Sequence, residues 1–241
     1  MAMIFHVSDL HFGAQDSAAL AWFAAQVEAQ RPDAIVVTGD LTMRARRHEF
    51  RAAQAWLATL PAPLSIEVGN HDLPYFNLLA RFADPYGRFE GLEREIERQL
   101  DLPGVDIIPL RTTARMQWRL NWSKGHTTPA RVEQAKGALV RARGPIRLVA
   151  CHHPLVEPGT RMSSHTRGGR EALAALTRAG ADGILSGHVH DPYDRRIEVE
   201  GLPVRLIGAG TLSERVRASR PSYNAIATSG DDFTVDIRYA A

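Results

Sequence analysis

Five short groups of side chains, in chain order, carry the chemistry this sequence could perform: Asp9-Leu10-His11, Gly39-Asp40, Gly69-Asn70-His71-Asp72, Cys151-His152-His153 and Gly187-His188-Val189-His190. Their carboxylate, imidazole and amide donors form a mixture suited to Mn, Fe or Zn. Asp9 and His11 flank one residue, so in extended chain both point to the same side and could grip one cation together. His188 and His190 repeat that spacing. With Asp40, Asn70 and His152 the donors number too many for one ion. Seven donors sharing a bridging carboxylate would serve two ions roughly 4 Å apart, an arrangement used for in-line displacement at phosphorus. A single Asp or His at a strand end is ordinarily a cap or turn former. It is the ordered set that points to a metal site.

The elements that must position these groups can be read around them. Apolar runs of strand length lie at 4–7, 34–37, 64–68, 146–150 and 183–185, and almost every group follows one directly, which predicts that all five reach one sheet edge. Segments with helical spacing lie between them at 17–29 (Ser17 as N-cap), 47–60, 129–140 and 169–179. Strand alternating with helix is the pattern of an α/β sheet. After Asp191 the texture changes to short alternating segments at 193–199, 204–207, 223–227 and 233–239, read as antiparallel strands. The stretch 74–103 breaks the alternation. Tyr75, Phe76, Phe82, Tyr86 and Phe89 precede a charged helical run at 92–100, and the stretch is read as an insertion or lid near the site.

The ordered groups resemble the calcineurin-like metallophosphoesterase family, whose pattern is D-x-H, G-D, G-N-H-[DE], H and G-H-x-H in that order, and every block is matched between Asp9 and His190. Within that family, Ser8-Asp9-Leu10-His11-Phe12-Gly13 and Cys151-His152-His153-Pro154 look most similar to bacterial cyclic-nucleotide phosphodiesterases of the class III type. The resemblance implies a four-layer α/β/β/α sandwich with mixed sheets and antiparallel C-terminal strands, forming one domain over 1–241. It implies that Asp9, His11 and His190 bind one metal, that Asn70, His152 and His188 bind the other, and that Asp40 bridges them together with a hydroxide. His71 would protonate the leaving oxygen or stabilise the transferring group, with Asp72 orienting its ring. The implied activity is hydrolysis of small phosphodiesters, cyclic nucleotides first. Glycerophosphodiesters and nucleotide-lipid pyrophosphates are the rivals within the class, and a non-catalytic metal-binding interaction module is the rival outside it.

Several residues keep two readings. His153 competes with His152 for the metal, although adjacent residues in extended chain point opposite ways. Cys151 reads as a small buried apolar residue. His165, Thr166 and Arg167 either hold a phosphate or base or belong to a solvated loop, and Arg44, Arg46 and Arg47 either approach the site or start a solvent-facing helix. The aromatics of 75–89 could form a substrate wall, a dimer contact or packed core, and Trp118 and Trp122 on an apparent strand share that ambiguity. Gly39, Gly69 and Gly187 fit turns that leave a strand without a Cβ clash.

Lysine plus arginine is 29 against 27 for aspartate plus glutamate, a net charge of +2, which argues against a nucleic-acid polymer or a membrane surface as partner. The single cysteine excludes an internal disulfide framework and fits a reducing, cytoplasmic setting. No stretch approaches the ~20 apolar residues of a membrane span, and the first residues lack the features of an export signal. The insertion and the C-terminal strands offer surfaces for a homodimer.

Overall fold

The computed structural model describes residues 1–75, 77–116 and 123–240. Phe76, Trp118 and Trp122 lie outside them.

Three apolar runs of the first half and the last two strands of the chain build one mixed sheet. Its order is β10-β9-β1-β2-β3, from β1 (Met3–Val7), β2 (Ala34–Val37), β3 (Leu64–Ile66), β9 (Ser222–Ser229) and β10 (Asp232–Tyr239). β1, β2 and β3 run parallel, while β9 and β10 are antiparallel additions. A second mixed sheet has the order β4-β5-β6-β8-β7, from β4 (Val105–Pro109), β5 (Ile146–Ala150), β6 (Gly183–Ser186), β7 (Tyr193–Val199) and β8 (Leu202–Gly208).

Alternation within the apolar runs explains the layering. In β1 and β2, Phe5, Val7, Ile35 and Val37 face helices α1 (Ser17–Gln30), α2 (Arg47–Leu57) and α4 (Gly87–Ile96) through Phe23, Val27, Ala53, Leu57, Phe89 and Leu92. Ile4, Ala34 and Val36 point the other way, onto Ile146, Leu148, Leu185 and Ile207 of the second sheet. The far face of that sheet is covered by α5 (Pro129–Arg141) and α6 (Gly169–Arg178) through Val132, Leu139, Leu173 and Leu176. Strands buried on both faces must be apolar throughout, which is why these runs show no polar alternation. The result is the helix, sheet, sheet, helix sandwich implied by the resemblance.

Four details differ from the sequence reading. The C-terminal strands are not one antiparallel unit: β8 joins β6 in parallel, β7 returns antiparallel on β8, and β9 and β10 cross to the first sheet. β4 was not anticipated, because Asp106 interrupts its apolar run. That carboxylate accepts from the backbone of Arg143 and Gly144 (2.9 and 2.6 Å) beside the start of β5. The cap of α1 is Asp16, whose Oδ1 accepts from Ala18 and Ala19 N–H (2.9 and 3.1 Å), and Ser17 is the first helical residue. Within 74–103, α3 (Leu78–Ala83) leaves Leu78, Leu79 and Phe82 exposed, whereas α4 buries Phe89, Leu92 and Ile96 in the helix layer. Among the described residues no helix is long and apolar enough to cross a membrane.

Candidate metal centre

The five groups do not meet at one sheet edge. Asp9, Asp40 and Asn70 follow β1, β2 and β3 of the first sheet, and His152, His188 and His190 follow β5 and β6 of the second. The site is therefore a seam between the ends of two facing sheets.

The loops beyond the strands continue the parallel pairing. Asp9 N–H donates to Gly39 C=O (3.0 Å), His11 N–H to Asp40 C=O (2.9 Å) and Phe12 N–H to Leu41 C=O (2.8 Å). The backbone is not extended there, as the spacing argument supposed. Asp9, His11, Asp40, His188 and His190 have φ of 56°, 45°, 53°, 70° and 61°. A left-handed conformation costs a non-glycine residue ~1–2 kcal/mol. Five of the seven candidate ligands pay it, which marks a place where function overrides local preference. The neighbouring glycines serve mainly close approach. A Cβ on Gly69 would lie 2.1 Å from both Asp40 N and Asp40 Oδ1, and one on Gly187 would lie 1.8 Å from Ser8 Oγ; only Gly39 of the three has a positive φ, +92°.

Donor atoms converge in two linked sets. Asp9 Oδ1 is 3.5 Å from His11 Nε2 and 3.1 Å from His190 Nε2, and those two nitrogens are 3.2 Å apart. Bonds of ~2.0–2.1 Å to one tetrahedral ion would separate its ligands by about 3.3 Å. On the other side His152 Nε2 is 3.3 Å from Asp40 Oδ2 and 3.2 Å from Asn70 Oδ1. Asp40 Oδ2 also lies 3.7 Å from His11 Nε2, so this carboxylate stands between the two sets. His188 meets His152 edge-on, with ring centroids 5.2 Å apart and planes at 78°, and its backbone N–H holds Asp9 Oδ2 at 2.8 Å. All seven side chains are nearly inaccessible.

The hydrogen bonds behind the rings fix which nitrogen faces inward. Nδ1 of His11, His152, His190 and His71 each meets a backbone carbonyl, of Thr42 (3.4 Å), Thr38 (2.7 Å), Arg215 (2.6 Å) and Met43 (2.7 Å). A carbonyl only accepts, so Nδ1 carries the hydrogen and a neutral ring presents its Nε2 lone pair to the centre. His153 is different: Nδ1 contacts Thr112 Oγ1 and Nε2 donates to Ser123 C=O, both at 2.9 Å. Its ring does not point away from His152, as the alternation argument held, since their centroids are 4.7 Å apart. What sets it apart is that its Nε2, where the other rings use Nδ1, is turned to a backbone carbonyl, although one of its nitrogens lies within 4.8 Å of ligand atoms of His152 and His188.

The charges here are those of a cation site. Burial would raise the Asp9 carboxyl, but His190 and His11 outweigh that and hold it well below the usual carboxylate range. Asp40 is held down in the same way against burial by His152, His71 and His11. Burial lowers His152, yet Asp40 lifts it to about 9, and Asp9 raises His190 against its own burial. Two buried carboxylates thus draw positive charge into the seam. Asp9 Oδ1 is buried without a hydrogen-bond partner among the described residues, an orphan that a metal would satisfy. The donor set, its spacing and this atom fit a metal centre.

Asp72 does not orient the His71 ring. Its carboxylate accepts from the backbone N–H of Leu41 (3.2 Å), Thr42 (2.8 Å) and Gly69 (2.9 Å) and from Thr42 Oγ1 (2.9 Å), clamping the 3-10 turn Asn70–Asp72 onto the Asp40 loop. Burial and nearby Asp40 push it up to about 7 against those bonds. Met43 orients His71 instead. Burial likewise pushes the Cys151 thiol up, consistent with an inert core residue. His165 and Thr166 line a groove of about 570 Å³ with Leu155, Arg170 and Ile197, which none of the seven donors lines.

One residue at the centre escaped the sequence reading. Arg215, in the loop after β8, places Nη1 3.0 Å from His71 Nε2 and 3.3 Å from His11 Nε2. Lying outside every motif, among glycine, serine and proline residues, it gave no signal in spacing or periodicity.

The chain matches the calcineurin-like phosphoesterase family over residues 2–192 and belongs to it. It is similar to the "probable cyclic nucleotide phosphodiesterase" of Pseudoalteromonas sp. (strain SM9913), with 24% identity over 224 residues, 85% of this chain and 78% of that protein. It is also similar to the glycerophosphodiester phosphodiesterase GpdQ of Enterobacter lignolyticus (strain SCF1), 35% identical over 81 residues, 29% of each chain. Among solved structures, a dimetal phosphatase from Danio rerio superposes with a TM-score of 0.72 at 12% identity, covering 99% of this chain and 96% of that one. Purple acid phosphatase PPD1 from yellow lupin gives 0.73 at 13% identity over 99% of this chain and 51% of that one. These two likenesses establish the fold.

Proposed function

We propose that this chain is a dinuclear phosphodiesterase acting on small phosphodiesters, cyclic nucleotides first. The observation that carries the reading is the pair of donor sets joined through Asp40. Asp9, His11 and His190 would hold one ion, Asn70, His152 and His188 the other, with Asp40 between, and the donor types suit Mn, Fe or Zn. When bound, such ions supply Lewis acidity toward phosphoryl oxygens and a water-derived nucleophile at neutral pH.

The chain's own residues do the rest. The Nδ1–H contacts of His11, His152 and His190 with backbone carbonyls fix their rings before any ligand arrives. Asp72 keeps Asn70 and the Asp40 loop in register through its backbone contacts. His71, half-buried and tethered at Nδ1 to Met43 C=O, has its Nε2 beside Arg215 Nη1 (3.0 Å), and in its protonated form would hand the Nε2 proton to the leaving oxygen.

The preference for diesters draws on the two curated relatives, both named as phosphodiesterases. Glycerophosphodiesters are the second reading, favoured by the locally higher identity to GpdQ. A net charge of only +2 argues against a nucleic-acid polymer as substrate. The lone, buried cysteine suits a reducing cytoplasmic setting.

The test is hydrolysis by Mn-loaded protein of bis-p-nitrophenyl phosphate, p-nitrophenyl phosphate, cyclic AMP and glycerophosphoethanolamine in parallel. Diester turnover above monoester turnover is expected, with cyclic AMP preferred to the glycerophosphodiester. Silence on all four with two ions bound would contradict the proposal.

A further inference from the structure

We propose that Arg215 is the phosphate-binding arm of this site, its guanidinium taking a non-bridging phosphoryl oxygen where it now meets His71. The inference deepens the phosphoester reading above and rests on it.

The contacts of the guanidinium are unusual for an arginine. Nη1 reaches His71 Nε2 (3.0 Å), His11 Nε2 (3.3 Å) and Met43 Sδ (3.7 Å), and among the described residues no carboxylate pairs with it. A guanidinium ordinarily finds a carboxylate or a phosphate, whose oxygens match its fork of donors. Here it is aimed instead at imidazole lone pairs, in a seam whose carboxylates Asp9 and Asp40 are already surrounded by histidines. One of those lone pairs, on His11, belongs to the proposed metal set. An anion is the missing partner, and the site's chemistry supplies one in the phosphoryl group.

The base of the arm is held through backbone contacts, while its head meets only side chains among the described residues. Thr211 Oγ1 donates to Asp9 C=O (2.6 Å) and contacts Ser213 Oγ (2.7 Å), which accepts from Arg215 N–H (3.3 Å). Glu214 N–H donates to Ala14 C=O (3.0 Å), and Arg215 C=O accepts from His190 Nδ1 at 2.6 Å. The backbone is thereby fixed to the loops that carry Asp9 and His190, before substrate arrives. Among the described residues the half-buried head meets imidazole nitrogens and a thioether, contacts that an oxyanion can replace with charge-assisted ones. An oxygen held between Arg215 and His71 would orient the phosphoryl group so that its leaving oxygen lies toward His71.

The experiment compares wild type, Arg215→Ala and Arg215→Lys, all Mn-loaded. It reads three quantities: Mn per chain, the dissociation constant for inorganic phosphate by calorimetry, and KM and kcat for bis-p-nitrophenyl phosphate. Arg215→Ala retains the carbonyl that holds His190, so metal content should match wild type. Phosphate affinity should fall ~10–100-fold and KM should rise in parallel, the effect of losing a charge-assisted hydrogen bond. Arg215→Lys, which keeps the charge without the fork, should recover part of the loss. Unchanged phosphate affinity and KM in Arg215→Ala would overturn the assignment while leaving the phosphoester reading intact. So would loss of metal, since the arginine would then be structural. A wild type that holds two ions but neither binds phosphate nor cleaves any phosphoester would instead sink the underlying reading.

Discussion

Gly69→Ala should dismantle the centre without replacing a proposed ligand. An added Cβ at Gly69 would sit 2.1 Å from Asp40 N and Oδ1 and 2.7 Å from Asp40 Cα, where ordinary contact begins at 3.4 Å. The obstacle is mostly backbone, so more than 1 Å of relief must come from moving the Asp40 loop or the Asn70–Asp72 turn. Either movement strains the 2.8 Å bond from His71 N–H to Asp40 Oδ1 and the 3.3 Å approach of Asp40 to His152. Metal ligands tolerate only ~0.2 Å of displacement. A 1 Å misplacement near the chemistry can cost ~100-fold in rate, and overpacking typically destabilises by ~1–3 kcal/mol. The expected result is a fall in bound Mn measured by mass spectrometry, a rate loss of at least ~100-fold, and a lower urea midpoint. Gly91→Ala is the control. It lies in α4 with nothing within 4 Å of its Cβ, and alanine there should stabilise by ~0.5–1 kcal/mol with metal and rate unchanged. A Gly69→Ala protein with wild-type metal content and rate would refute the reasoning.

Three further outcomes follow from particular contacts. His71→Ala should retain both ions yet lose ~10²–10⁴ in kcat, with the loss growing as the leaving group becomes more basic; an equal loss for all leaving groups would deny it the proton-transfer role. His6, buried between Thr38 and Asn224, is lowered from 6.5 to about 3 by burial, against the pull of Asp9. The unfolded chain therefore binds a proton that the fold refuses as pH falls below 6.5 toward 3, and stability should drop by up to ~1.4 kcal/mol per pH unit across that window. Urea titrations of His6→Gln should show a slope shallower by that amount, and identical slopes would falsify the assignment. Cys151, buried with its thiol pushed up, should resist a thiol reagent in the native protein and react at once in denaturant; fast native labelling would contradict its place in the core.

Much of the centre is written locally, and that part was legible. The apolar runs buried on both faces announce β1, β2, β5 and β6, and the donors sit just beyond them, so type and order sufficed to find the groups. What the sequence hides is set by long-range contact. β4 was missed because Asp106 serves the backbone of Arg143 and Gly144, a purpose invisible in the run itself. The division of strands between two sheets depends on pairing partners that no periodicity encodes, hence a seam in place of a single edge. Asp72 adjoins His71 in sequence, yet the turn directs its carboxylate to three backbone N–H groups. Arg215 reaches the centre because Thr211 and Ser213 tie its loop to Asp9, a contact between residues 202 positions apart. The left-handed residues had no sequence signal either, because the conformation of Asp9, His11 and Asp40 accompanies the hydrogen bonds linking their two loops, and that of His188 the bond from its N–H to Asp9 Oδ2, all long-range contacts.

The most direct test of the central claim is anomalous diffraction at the Mn edge from crystals soaked in Mn, with Asp40→Ala treated identically. Two peaks ~3.5–4 Å apart are expected, one among Asp9, His11, Asp40 and His190 and one among Asp40, Asn70, His152 and His188, with both weakened or lost in the variant. A single peak, a peak held by His153, or two peaks undisturbed by Asp40→Ala would contradict the account.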